Sequence, residues 1–114
     1  MKLFLDTSNN LQTVVRLDGQ EFVTTYDSPR DQDILTALTK ALETIQKTVK
    51  DISEIEINLG PGSFTGLRVG VSIANALSFA LKIPINGQTP GTIIIPEYGK
   101  PPSITISKKN PPQN

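Results

Sequence analysis

The chain has 114 residues, 11 Lys plus Arg balanced by 11 Asp plus Glu, and neither His nor Cys. That length suits one compact core without a second lobe, and without imidazole or thiol groups the chain alone cannot build a histidine acid–base centre, a thiolate nucleophile, a zinc site of the usual nitrogen and sulfur type, or a disulfide. A formal charge of zero supplies no global field to steer the protein onto RNA or an acidic membrane, and the short apolar opening closed by Asp6 is far shorter than a signal sequence or a membrane span, which predicts a soluble, cytoplasmic protein with no membrane association.

Taken in chain order, Lys2-Leu3-Phe4-Leu5 reads as a strand buried on both faces, ended by the turn-forming Asp6-Thr7-Ser8-Asn9-Asn10. Residues 13–17 and 21–26 read as two strands joined by Asp18-Gly19, a dipeptide suited to the positive φ angles of a tight hairpin. A helix is predicted next, with Ser28 as N-cap, Pro29 at its first position and Asp31 near the positive end of its dipole. Its stripe of Ile34, Leu35, Leu38, Ala41, Leu42, Ile45 and Val49 faces away from Lys40, Glu43 and Lys47. Residues 54–59 alternate as a strand stopped by Gly60-Pro61-Gly62, a second helix covers 64–82, and Ile83-Pro84-Ile85 reads as a closing strand. The order β-β-β-α-β-α-β predicts an α/β body with a mixed sheet. Six of the nine prolines lie from Asn86 onward, which divides the chain into a body over 1–88 and a Pro-rich extended tail over 89–114. Within the tail, Thr92-Ile93-Ile94-Ile95 and Ser103-Ile104-Thr105-Ile106 have the composition of edge strands, which would cover an exposed edge of the sheet or reach a partner.

Two surfaces stand out. A strand that delivers a Gly-rich turn onto a helix N-terminus can aim backbone N–H groups at an anion, so Asp6, Thr7, Gly60, Gly62, Ser63 and Thr65 are candidate nucleotide or phosphate contacts; the competing reading is a tight βα turn with Asp6 as a turn former. The spacing is neither that of a P-loop nor that of the dinucleotide fingerprint. At 100° per residue the second helix divides into a core face, Gly66, Val69, Gly70, Ile73, Ala74, Ala76, Leu77, Ala80 and Leu81, and an outer face, Arg68, Val71, Ser72, Asn75, Phe79 and Lys82. A Phe among Arg and small polar residues has the composition of an interface, or else Phe79 lies under the tail.

The opening Leu3-Phe4-Leu5-Asp6-Thr7-Ser8 and the long motif Gly60-Pro61-Gly62-Ser63-Phe64-Thr65-Gly66-Leu67-Arg68-Val69-Gly70 resemble the TsaB (YeaZ) family, over residues 1–88, and the stretch 96–105 resembles the family's carboxyl-terminal tail. The resemblance implies a single actin-like ATPase or ribonuclease H-like lobe of a normally two-lobed protein. It also implies a non-catalytic scaffold role beside a TsaD-like subunit, which moves a threonylcarbamoyl group from its adenylate to the adenosine beside the tRNA anticodon. The implied partners are that subunit, a TsaE-like ATPase, a second copy when the chain is alone, and tRNA only through the complex. The implied interface residues are Leu35, Leu42, Arg68, Val71, Ser72, Asn75 and Phe79. No cofactor is expected on this chain alone, although the resemblance permits ATP or ADP at the interface with the catalytic partner. Where family members often carry an Arg-x-His-Ser-like segment, this chain has Arg30-Asp31-Gln32-Asp33, and it has no paired His for metal. Two other readings compete with the scaffold: a nucleotide-binding actin-like ATPase half-domain using Asp6 and the Gly-rich turn, and a self-associating module unconnected with tRNA modification.

Overall fold

Strands β1 (Lys2–Asp6), β2 (Gln12–Leu17), β3 (Gln20–Thr25) and β4 (Glu54–Ile57) form one mixed sheet in the order β3-β2-β1-β4, as seen in the computed structural model, which describes residues 1–97. β1 runs antiparallel to β2 and parallel to β4. Asp18 and Gly19 both take positive φ, as the predicted hairpin between β2 and β3 requires. Helices α1 (Ile34–Thr44) and α2 (Phe64–Leu81) cover one face. There Leu3, Leu5, Val15, Leu17, Ile55 and Ile57 pack with Ile34, Leu38, Ala41, Leu42, Val71 and Ala74 to form the core.

Among the described residues no helix covers the other face of the sheet. Phe4 alternates onto it and is only half-buried, so the expectation that β1 is covered on both sides does not hold. The Arg16 guanidinium lies 4.5 Å from the centre of the Phe4 ring, and Arg16 pairs with Glu21 and Lys2 with Glu56, each at 2.9 Å. Exposed pairs of this kind add little stability individually, but they give an otherwise open sheet face a charged, solvated surface.

The first helix begins later and ends earlier than expected. Residues Pro29–Asp31 form a separate 3-10 turn, and Asp33, not Ser28, caps α1, accepting from the Thr36 N–H at 3.1 Å and the Thr36 hydroxyl at 2.8 Å. At the other end Gln46 takes φ +58 and the Lys47 N–H reaches the Leu42 carbonyl, a Schellman-type stop, so Val49 falls in a second 3-10 turn.

The second helix is rotated relative to the expected stripe. Its buried residues are Gly66, Leu67, Gly70, Val71, Ala74 and Ser78, whereas Val69, assigned to the core by periodicity, is 44% exposed. Gly62, Gly66 and Gly70 recur every four residues and line one side of the turn and helix, and the Thr7-Ser8 segment lies directly against them. A Cβ on Gly62 would stand 2.5 Å from the Ser8 carbonyl oxygen, one on Gly66 would strike the Thr7 carbonyl, and one on Gly70 would strike the Thr7 hydroxyl. The buried Thr7 hydroxyl donates to the Gly66 carbonyl at 2.7 Å and completes the seat. By length and composition α2 could cross a bilayer; here its buried side makes it the core helix of the lobe.

After α2 the expected closing strand is reduced to a single parallel bridge between Ile55 and Ile85. Asn86 and Gly87, both at positive φ, reverse the chain at once, with Ile85 and Gln88 exchanging main-chain bonds at 2.8 and 3.2 Å. Residues 89–97 then return along α2. Ile94 is buried against the core, but its segment pairs with no strand of the sheet; both Ile94 main-chain groups bond the Asn75 side-chain amide at 2.9 Å. The other proposed tail strand, 103–106, lies outside the described residues.

If the glycine seat sets the helix, Gly70→Ala is expected to lower the urea midpoint, because overpacking against Thr7 costs about 1–3 kcal/mol and outweighs a gain of about 1 kcal/mol in helix propensity. In a Thr7→Ala background the same substitution is expected to cost measurably less. A Gly70→Ala protein stabilised in both backgrounds would contradict the seat.

Candidate functional site

The Gly-rich turn and the strand end beside it are closely knit. The Asp6 carboxylate accepts from the Ser8 N–H at 2.9 Å and the Ser8 hydroxyl at 2.7 Å. The Ser63 N–H donates to the Ser8 carbonyl at 2.8 Å, the Gly60 N–H to the Asn58 side-chain oxygen at 3.0 Å, and the Gly66 N–H to the Ser63 hydroxyl at 3.2 Å. Of the residues singled out as anion contacts, Asp6, Thr7, Gly60, Gly62 and Ser63 do come together, and the backbone donors of Gly60 and Ser63 are satisfied within the chain. So is the Thr7 hydroxyl. The Ser63 and Gly66 N–H groups at this helix N-terminus are taken up by the Ser8 carbonyl and the Ser63 hydroxyl. Thr65 is separate and exposed, on the far side of the helix.

Partial burial pushes the Asp6 carboxyl upward, but the Ser8 hydroxyl and N–H, the Asn58 amide and the Arg16 charge outweigh it and hold the group below the ordinary carboxylate value. The folded state therefore takes up this proton less readily than the unfolded state. The stability that Asp6 contributes is complete above the ordinary carboxylate pKa and is lost as the pH falls through the lower folded value. Asp6→Asn is accordingly expected to shrink the loss of urea midpoint between about pH 7 and about pH 3. An unchanged acid loss would show that these bonds contribute nothing.

The second surface lies on the side of the helices away from the sheet. Thr65, Arg68, Val69, Ser72, Ala76 and Phe79 form the exposed stripe of α2, and Leu35 of α1 flanks it. Leu35, Thr65, Arg68, Val69, Ser72 and Ile73 line an open groove of about 340 Å³. Phe79 is 73% exposed and Leu35 59%, and the Arg68 guanidinium sits 5.3 Å from the Phe64 ring centre.

The interface residues expected from the sequence divide three ways. Leu35, Arg68, Ser72 and Phe79 are on this surface. Leu42 and Val71 are in the core, at 4% and 2% exposure: Leu42 lies on the buried stripe of α1 with Ile34, Leu38 and Ala41, and Val71 is turned inward by the glycine seat of α2. Asn75 is half-buried, and its amide holds the Ile94 backbone. Val69 belongs to the surface although periodicity places it in the core, and Ile73 is half-buried, packing against the core while also lining the groove; the four-residue spacing of Gly62, Gly66 and Gly70 is the signal for the correct rotation.

A family model described as TsaD: tRNA N6-adenosine threonylcarbamoyltransferase matches residues 30–88. The tRNA threonylcarbamoyladenosine biosynthesis protein TsaB of Bacillus subtilis (strain 168) is 32% identical over 88 residues, 74% of this chain and 38% of that protein. A tRNA N6-adenosine threonylcarbamoyltransferase of Tropheryma whipplei (strain Twist) is 48% identical over 50 residues, 44% of this chain and 12% of that protein. The solved structure of YeaZ from Pseudomonas aeruginosa superposes with a TM-score of 0.61 at 27% identity, over 74% of this chain and 42% of that one. The chain spans at most 38% of the length of these two curated relatives. The sheet order and this superposition give an actin-like, ribonuclease H-like lobe.

Proposed function

The chain belongs to the TsaB/YeaZ family, and from that premise we propose that it acts in tRNA threonylcarbamoyladenosine biosynthesis as a non-catalytic subunit that binds and supports a TsaD-type threonylcarbamoyltransferase. The observation that carries the proposal is the outward surface of α1 and α2, where Leu35, Val69 and Phe79 are exposed beside Arg68 and Ser72. Three large apolar side chains on one face, with a guanidinium and small residues between them, have the make-up of an interface centre: aromatic and Arg anchors, and short side chains that let another helix approach closely. The opposite sheet face, with its ion pairs, is suited to water. Asp6 and Thr7 support the accessory role, because the groups an actin-like enzyme would present to nucleotide phosphates are engaged by Ser8 and Gly66. The transfer itself, the nucleotide and the tRNA contacts are assigned to the partner. When the chain is alone, the same face is expected to pair two copies.

The test is co-expression with the TsaD-type protein of the same genome. Wild-type chain is expected to co-purify with it, and Phe79→Asp is expected to weaken the association at least about 30-fold, as for an interface hot spot of about 2 kcal/mol. The urea midpoint, measured at a dilution where the chain is a monomer, is expected to fall by no more than an acidic residue in the last helical turn costs, about 1 kcal/mol, since Phe79 is 73% exposed within the chain. Co-purification of Phe79→Asp at the wild-type level would remove this surface from the interface, and no co-purification of the wild type would overturn the scaffold role.

A further inference from the structure

We propose that residues 84–97 act as an edge cap, a built-in substitute for a fifth strand that keeps β4 from pairing with β4 of a second copy. Alternate residues of a strand present their main-chain groups to opposite neighbours. On β4 and just beyond it, residues 55, 57 and 59 face away from β1, and each is met by a different device. Ile55 is met by main chain, its N–H donating to the Pro84 carbonyl at 2.9 Å and its carbonyl accepting from the Asn86 N–H at 2.8 Å. Ile57 is met by a side chain: its N–H donates to the Asn86 side-chain oxygen at 2.8 Å and its carbonyl accepts from the Asn86 amide nitrogen at 3.1 Å. The Leu59 carbonyl accepts from the Glu97 N–H at 2.6 Å. A primary amide presents the same donor and acceptor pair as a peptide group, so Asn86 supplies the rung that an advancing strand would have supplied. It does so after the Asn86-Gly87 turn has already taken the backbone away.

The returning strap is fastened along α2 by the Gly91 N–H on the Ser78 hydroxyl at 3.2 Å, by the Asn75 amide on Ile94, and by burial of the Ile94 side chain. An open edge strand with unpaired N–H and C=O groups recruits another strand. A second copy is the occupant that purified protein makes available at high concentration. Among the described residues the other sheet edge, β3, lies at the far side and is mostly exposed, with Gln20, Glu21, Thr24 and Thr25 beside a half-exposed Val23.

The decisive variant is Asn86→Gly, because glycine tolerates the φ of +48 at this position and preserves the turn while removing only the amide. It is made in a Phe79→Asp background, so that pairing through the α1 and α2 surface cannot contribute and the two proposals fail separately. Hydrogen exchange at the Ile57 amide is expected to rise about tenfold or more with the β1 amides unchanged, and sedimentation is expected to show new concentration-dependent association. Unchanged exchange, or faster exchange with no new association, would overturn the cap. Asn86→Asp, when ionised, keeps an acceptor for the Ile57 N–H but sets a second oxygen against the Ile57 carbonyl, and when protonated it can donate to that carbonyl as the amide does. Protection of the Ile57 amide relative to the β1 amides is therefore expected to be greater at about pH 3 than at about pH 7; protection no greater at the lower pH would overturn the cap, and this comparison decides if Asn86→Gly does not fold.

Discussion

The contact of the Thr7-Ser8 backbone with the glycine-lined side of α2 fixes the axial rotation of that helix. Glycines at 62, 66 and 70 let the strand end approach to distances that any Cβ would forbid, and the Thr7 hydroxyl locks the approach by donating to Gly66. Once the helix is held at that edge, Leu67, Val71, Ala74 and Ser78 must face the sheet and Val69, Ser72 and Phe79 must face outward. The outward surface is therefore a consequence of a contact on the opposite side of the helix. A helix seated by ordinary side-chain packing has rotational latitude that this one lacks, because a backbone-to-backbone approach leaves no flexible atoms to take up an error.

The same seat changes the meaning of the Gly-rich turn. Glycines at the junction of a strand and a helix N-terminus are the common hardware of phosphate binding, since they open a place for an anion against free N–H groups. Here the segment after β1 packs against those glycines, with Ser8 accepting from Ser63 and Asp6 bound by Ser8. The turn thus serves close packing between two segments, and among the described residues the lobe leaves Leu35, Val69 and Phe79 exposed on its outer helical face. That arrangement suits a protein whose chemistry lies on another chain.

Much of the fold was legible. The hairpin was announced by Asp18-Gly19, the two helices by their apolar periods, and the parallel placement of β4 by the helix between it and β1. What was not legible has physical causes. Ser28-Pro29 is a good helix start, but Asp33, with Thr36 three residues on, is a competing cap that the tertiary structure chose. Periodicity placed Val69 in the core and Val71 outside because both are equally apolar; only a close approach by a segment nearly sixty positions earlier decides between them, and a period carries no information on that. Asn86-Gly87 is a strong hairpin dipeptide, yet among many prolines it read as the start of a tail rather than as the end of a strand. The role of Asn86 against Ile57 had no local signature, since it joins residues 29 positions apart.

The absence of cysteine in the sequence permits a direct measurement of the helix orientation on which the account depends. Single Val71→Cys and Phe79→Cys proteins would be exposed to a thiol reagent under native conditions, alone and with the TsaD-type partner. The account predicts that the thiol at 71 is protected throughout, that the thiol at 79 reacts readily when the chain is diluted until it sediments as a monomer, and that the TsaD-type partner, added at that same dilution, protects it. Rapid labelling at 71, or a thiol at 79 that reacts equally fast with and without the partner, would contradict it.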